Sequence, residues 1–292
     1  YPNAAGTYTE ITLNRPTGFK FDYDRIKIYY VADGLYKFEM TGKGDNNSEK
    51  KIEVVISRTS SLPAGSDGAV GMYGNDPAIT CSGSCSIDGH DWDRPPIDCN
   101  GASCRPSVAG PGPDVAGLYT SETAADGASA SGNITGNALY GSPNWQQGGG
   151  ANTEETWVNF VNRILSGTYN DASDNVFGTR AAPTIVVASE DLHIASNGNH
   201  AGILIINNVD FQFTGTPVWE GLIILVGDNA KFGAGNANLY GSLITINHPE
   251  GTTAVTTGNG GLNYSSAALK NLEKIPGMTG AKIVSWRDLS ID

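Results

Sequence analysis

Two groups of carboxylates in this chain carry oxygen atoms that could do chemistry. Asp88, Asp91 and Asp93 stand within the run Ile87-Asp-Gly-His-Asp-Trp-Asp93, with His90 among them and Asp98 shortly after. Oxygen donors at that density are the kind that hold Ca2+, although their spacing is not that of an EF-hand loop. Asp191 and Asp210 form the second group and occupy equivalent places in successive lines of an internal repeat. If those lines stack as neighbouring strands, the two carboxylates lie about 4.8 Å apart. Adjacent acids of this sort can hold Ca2+, and acid clusters on stacked strands serve polysaccharide lyases and hydrolases. The simpler account of both groups is that Asp and Asn side chains accept hydrogen bonds from turn backbone. Ca2+ is therefore the candidate cofactor, and nothing in the sequence requires it.

Sulfur is the next resource. Four cysteines, Cys81-x3-Cys85 and Cys99-x4-Cys104, lie inside a Gly/Ser/Pro-rich stretch. An even count clustered in irregular chain fits two disulfides made in an oxidising compartment, with three connectivities open. Local pairing, Cys81 with Cys85 and Cys99 with Cys104, is the first choice among them. Zinc is the rival, but neither pair has the usual C-x2-C spacing.

Beyond these groups the chain offers little for catalysis. His90, His193, His200 and His248 show no paired spacing, and His193 lines up with Gln212 and Lys231 in an outward polar column of the repeat. No nucleophile elbow, P-loop or dinucleotide-binding glycine pattern follows a strand. A lyase acting on acidic polysaccharide would need a basic residue near its acids, and residues 183–250 offer only Lys231. The chain is read as a protein without a reaction. Trp92, Trp145 and Tyr140 sit in Gly/Ser/Asn-rich connections, where amphipathic rings supply contact surface for partners or sugars. Packing of those loops onto the body of the protein is the alternative.

These residues need a frame, and composition indicates its class. The chain has 292 residues, 38 of them glycine, with few charges and strands rich in Val, Ile, Phe and Tyr, which points to a mainly β protein with many turns. The formal net charge of −12 is unevenly spread. Residues 1–60 carry nine Lys/Arg against eight Asp/Glu, and the remainder carries nine against twenty-two. Binding to nucleic acid rests on neutralising phosphates, so the acidic bulk argues against it as a main activity. No apolar run approaches the roughly 18 residues needed to cross a bilayer. Tyr1 does not look like a natural translation start, so a processed or trimmed form is expected.

Two textures divide the chain. In residues 1–60 apolar side chains alternate with polar ones: Phe19, Phe21 and Tyr23; Ile26, Ile28 and Tyr30; Tyr36, Phe38 and Met40; Ile52, Val54 and Ile56. This period of two, broken by Ala32-Asp33-Gly34 and by Gly42 to Asn47, predicts an antiparallel meander with one apolar face. Such a face needs a cover, and no amphipathic helix precedes it here. Residues 61–292 form the second region. Lines beginning at Pro183, Gly202, Gly221 and Gly241 repeat at steps of 19, 19 and 20 residues, the signature of a solenoid of stacked strands. Inward columns are expected from Ile194, Phe213 and Phe232 and from Ile185, Leu204 and Ile223, and a fainter copy runs from Tyr73 to Gly83. Two helices interrupt the repeat, one from the cap at Asn152 to Glu155 up to Gly167 and one from Ser265 to Ile275, and capping of the solenoid ends is their expected role. The last strand, Lys282 to Trp286, either caps the solenoid or returns to the meander.

The ordering of a meander ending in Lys51-Ile-Glu-Val-Val-Ile-Ser-Arg58, the segment Gly83 to Trp92, the Gly-Ile-Leu-Ile-Ile and Gly-Leu-Ile-Ile-Leu-Val-Gly-Asp lines, and the endings Leu262 to Leu269 and Ile283 to Asp288 resembles the PilX-like accessory (minor) pilins of bacterial type IV pili. The resemblance covers most of the chain, apart from the cysteine loop. It implies a pilin-like antiparallel sheet followed by a parallel β-helix, with a long hydrophobic helix upstream that anchors in the membrane and covers the sheet. It implies an extracellular, structural and adhesive role at or near a pilus tip, with other pilins, a tip adhesin or surface glycans as partners. A secreted β-helix protein that binds or cleaves polysaccharide is the alternative. A DNA-receptor role in natural competence is a further one, opposed by the acidic repeat.

Overall fold

The computed structural model describes residues 8–11, 22–32, 35–43, 49–63, 65–74, 78–80, 86–99, 104–121, 129–131, 133–136, 145–227, 230–234, 236–246, 252–253, 255–257 and 260–289. The chain is mainly β, with antiparallel and parallel sheets, and divides into two compact units: Tyr1–Ser61 with Thr279–Asp292, and Leu62–Met278.

The first unit begins with β1 (Tyr8–Ile11), β2 (Asp22–Ala32), β3 (Leu35–Lys43) and β4 (Glu49–Ser60), each antiparallel to the next. Period-two alternation puts Ile28, Phe38 and Val54 in one row across these strands and Tyr30, Tyr36 and Ile56 in another. The other face is charged. Lys37 bonds Glu39 at 2.7 Å and lies 3.5 Å from Glu53, and Tyr29 donates to Glu39 at 3.0 Å.

The second unit is built from short strands that pair only in parallel among the described residues. β5 (Gly68–Met72), β6 (Ala78–Thr80) and β7 (Ser86–Asp88) come first, then β8 (Ala116–Thr120), β9 (Ser129–Ser131), β10 (Asn133–Thr135) and β11 (Trp145–Gln147). Helix α1 (Glu154–Leu165) follows, fixed at its start by a capping box between Thr153 and Thr156, and leads to β12 (Asn170–Asp171). The repeat supplies β13 (Thr184–Ala188), β14 (Leu192–Ser196), β15 (Asn199–Asn207), β16 (Asp210–Gly215), β17 (Val218–Val226), β18 (Lys231–Ala234) and β19 (Asn238–Ile246). After β20 (Thr252–Thr253), β21 (Val255–Thr257) and β22 (Gly261–Tyr264) comes the short helix α2 (Ser266–Asn271), capped by Ser265.

The rows do not follow chain order. The main sheet runs β12-β13-β15-β17-β19, and β19 then meets two strands laid end to end: β22 along Asn238–Gly241 and β5 along Leu243–Thr245. β22 continues into β7 and β10, and β5 into β8 and β11. The unit's entrance and exit thus share one row. That arrangement matches the connectivity of the first unit, where β23 (Thr279–Asp288) pairs antiparallel with β4 and Thr279 stands opposite Ser60. Residues 62–278 are therefore an insertion in the hairpin between β4 and β23. The residues from Thr279 on, assigned to the second region from sequence, belong with the first. They extend its apolar rows with Trp286 beside Val54 and Ile283 beside Ile56, and leave these two side chains 69% and 62% exposed.

Both faces of the main sheet are buried, which is why its strands read as unbroken apolar runs rather than alternating ones. One face carries Val186, Leu204, Ile223, Leu243 and Val70 toward Ile194, Phe211 and Phe213 of the β14-β16-β18 sheet. The other carries Ile185, Ile203, Leu222 and Ile244 toward Trp157, Phe160, Val161 and Ile164 of α1 and toward Leu272 and Ile275. Each fully buried Ile or Leu contributes about 2 kcal/mol. The helices accordingly lie on an apolar face of the central strands, not at the ends of the stack as expected. The sheet has more apolar surface than its own strands can cover.

Registers correct two of the expected columns. Thr184, not Pro183, stands beside Gly202, so Val186 joins Leu204 and Ile223 while Ile185 faces α1. A slip of one residue moves a side chain to the opposite face. Likewise Lys231 stands beside Asp210 and Phe232 beside Phe211, so neither Lys231 nor Phe232 continues its expected column. The cause is turn length: two residues separate β15 from β16, and four, Gly227 to Ala230, separate β17 from β18.

Candidate functional site

The acidic run begins at the end of β7 with Asp88 and continues into the segment that follows it, and its carboxylates are drawn into separate tasks. Asp88 accepts from the His90 backbone N–H (3.1 Å), from His90 Nδ1 (2.7 Å) and from Trp92 Nε1 (2.9 Å). Burial alone would raise its carboxyl, but the hydrogen bonds from His90, Trp92 and Thr135 outweigh it and hold the group below the usual carboxylate range. Asp91, only 3% exposed, accepts from the Ser266 backbone N–H (2.7 Å), the Ser266 hydroxyl (2.8 Å) and the Gly112 N–H (2.5 Å). It ties the segment to the start of α2. Asp93 accepts from the Arg94 N–H at 2.7 Å.

Asp191 and Asp210 occupy adjacent rows, but Asp191 accepts from the Asp210 backbone N–H at 2.7 Å and Asp210 accepts from Gln212. Among the described residues no three His, Cys, Asp or Glu side chains gather as a metal ion would need. Because Asp91 satisfies three donors in a buried place, Asp91→Ala is expected to cost about 3 kcal/mol, read as a lowered urea midpoint. An unchanged midpoint would remove the tie it makes to α2.

Cys99 and Cys104 form a disulfide with Cα atoms 5.1 Å apart, and Cys81, Cys85 and Tyr140 lie outside the described residues. Trp92 and Trp145 are half-buried rather than held out: the first bonds Asp88, and the second donates to Thr120 Oγ1 at 2.9 Å. The disulfide packs on Val218, Tyr240 and Ala268, and the Tyr240 hydroxyl donates to the Cys104 carbonyl.

A Ser–His pair also forms at the corner between β14 and β15. Ser196 Oγ lies 2.6 Å from His200 Nε2, and the His200 ring stacks on Phe213 beside Phe177. Among the described residues no carboxylate hydrogen-bonds His200 to orient it as the acid of a catalytic triad does. Burial pushes the His200 imidazole below its usual range. The unfolded chain therefore binds the proton first as pH falls, and the stability tied to neutral His200 is complete above about pH 6.5 and lost below it. Stability is expected to drop by up to about 1.4 kcal/mol per pH unit through that window. A His200→Phe variant with an equally steep decline in melting temperature between about pH 6.5 and 5 would show that another group is responsible.

A concavity lies where the cysteine segment meets the repeat. Ile97, Asp98 and Cys99 face Thr179, Arg180 and Ala181 from the turn before β13, Asn197 and Asn199 from the β14–β15 corner, and Glu220 from β17, around a cavity of about 480 Å3. Arg180 and Glu220 form a forked ion pair: Arg180 Nη2 lies 2.5 Å from Glu220 Oε1 and Nε lies 2.8 Å from Oε2. Arg180 Nη2 also donates to the Pro95 carbonyl at 2.6 Å, and the Arg180 carbonyl accepts from Asn271 at 3.0 Å.

Sequence reasoning missed this place. Arg180 lies three residues before the repeat lines of residues 183–250, and the pair joins positions 40 apart in the chain. A buried Glu in the middle of an apolar strand, Val218-Trp-Glu-Gly-Leu, was the available signal, since such a charge needs a partner. The chain matches no protein-family profile, no characterised protein and no solved structure.

Proposed function

We propose that this protein is an accessory, pilin-like subunit of a type IV pilus class filament, located outside the cell at or near the tip, whose role is recognition rather than catalysis. In this reading the parallel rows of residues 62–278 are the coils of a β-solenoid held out from the filament. The observation that carries it is the insertion: a stack of parallel strands enters and leaves through one hairpin of a five-stranded antiparallel sheet. That sheet keeps an apolar face in which Phe38 and Val54 are only half-buried and Trp286 is exposed, as expected of a surface that receives a helix.

Cleavage of acidic polysaccharide is poorly supported. Arg180 adds a second basic residue to Lys231 of the repeat, but its charge is spent on Glu220. Filaments sheared from the producing cells and probed with antibody to residues 62–278 are expected to carry the protein at their ends. Recovery solely from the medium, with filaments unlabelled, would sink the reading.

A further inference from the structure

Resting on the recognition role proposed above, we infer that the cavity between the cysteine segment and the repeat binds a neutral, hydroxyl-rich saccharide. Its polar groups are fixed by the protein and still have capacity to spare. Asn199 donates Nδ2 to the Ile97 carbonyl at 2.8 Å and toward Cys99 Sγ at 3.8 Å. A carbonyl partner requires the amide nitrogen there, so the Asn199 Oδ1 is left as an acceptor.

Asn197 is held the other way. Its Oδ1 accepts from the Thr216 N–H at 3.0 Å, which leaves Nδ2 as a donor. Arg180 uses Nε and Nη2 on Glu220 and Pro95, and its Nη1 keeps its hydrogens. Asp98 adds an exposed carboxylate to the same wall.

A sugar hydroxyl donates and accepts at once, and adjacent hydroxyls match donors and acceptors mounted side by side on rigid planar groups. Ile97, 67% exposed at the rim, offers the apolar contact that the C–H face of a pyranose takes. Charge selects against acidic sugars: Arg180 is neutralised by Glu220, and Asp98 leaves the site with an excess of one negative charge. A uronate or a phosphate would meet repulsion there. The volume of about 480 Å3 suits one or two sugar rings.

The test titrates the intact protein with neutral mono- and oligosaccharides, with oligouronates and with spermidine, by calorimetry and by amide chemical shifts. A neutral saccharide should bind, the uronates should not, and the shifts should centre on Asn197, Asn199 and Arg180. Asp98→Ala, at an exposed position, should weaken that binding about tenfold, equivalent to about 1.4 kcal/mol. Arg180→Lys should weaken it at least as much, and Asp98→Ala serves alone if the lysine variant does not fold. His193→Ala, on the exposed side of β14, should leave binding unchanged.

Preference for uronate or spermidine, no binding by any probe, or full binding by Asp98→Ala would each overturn the assignment. The filament reading is judged separately by labelling. A labelled filament subunit that binds no saccharide sinks only the site, and a saccharide-binding protein absent from filaments sinks the reading on which it rests.

Discussion

Gly221→Ala is expected to lower the stability of the 62–278 unit by about 2–6 kcal/mol. Two costs add. Gly221 has φ +134°, a conformation that L side chains rarely adopt, which accounts for about 1–3 kcal/mol. In addition, an added Cβ would press inside van der Waals contact on the Gly202 carbonyl oxygen of the next row and lie 2.8 Å from Leu272 Cδ2. Crowding of that kind costs about 1–3 kcal/mol more, and the carbonyl cannot retreat because its strand is paired on both sides. Gly149→Ala separates the two terms. Gly149 has φ +67° with nothing within 4 Å of a new Cβ, so its replacement should cost only about 1–2 kcal/mol. Urea unfolding followed by circular dichroism measures both, and equal losses would remove close approach of the rows as a determinant of the fold.

The same glycine shows what was legible in the sequence. Gly202, Gly221 and Gly241 begin repeat lines and do stand in register, because a glycine needed for close approach recurs wherever rows touch. The alternation in β2 to β4 was equally plain, since one face of that sheet is apolar and the other charged. Between Pro183 and Thr184 the text misleads by one residue: a strand apolar on both faces has no alternation to fix its phase. At Lys231 it misleads by two, because the longer Gly227 to Ala230 turn displaces the short strand while the long strands on either side stay aligned. The end-to-end meeting of β22 and β5 beside β19 was not readable at all. It joins segments nearly two hundred residues apart and depends on backbone pairing, which leaves no mark on residue type.

Carboxylate chemistry was legible by residue type and not by role. Asp88, Asp91 and Asp93 are close in sequence and diverge in space, each bonding different donors. Glu220 and Arg180 are distant in sequence and meet. Density of acids along a chain is a poor guide to a site, because a carboxylate beside a turn is most easily satisfied by the nearest N–H. A single acid buried within an apolar strand is the better guide. Its desolvation has to be offset by something specific, and that partner marks where distant segments converge.

Arg180→Ala is accordingly expected to destabilise the protein by about 3–5 kcal/mol, since it leaves Glu220, with a side chain 3% exposed, as a buried and unpaired charge. The pair itself need not be worth that much. Arg180→Met with Glu220→Leu removes both charges and restores apolar volume, and such replacements are often neutral. The double variant should lie within about 1–2 kcal/mol of the original protein and give a coupling energy of at least about 2 kcal/mol in a double-mutant cycle. Chemical denaturation of the four proteins measures this. Additive losses would mean that the two residues act independently and that the cavity wall is not held by their pairing. The folded double variant also separates recognition from stability. It keeps the Cys99–Cys104 disulfide and the Asn199 bond to the Ile97 carbonyl but has lost the Arg180 donor and its bond to the Pro95 carbonyl, so its saccharide affinity should fall while its unfolding curve stays near that of the original.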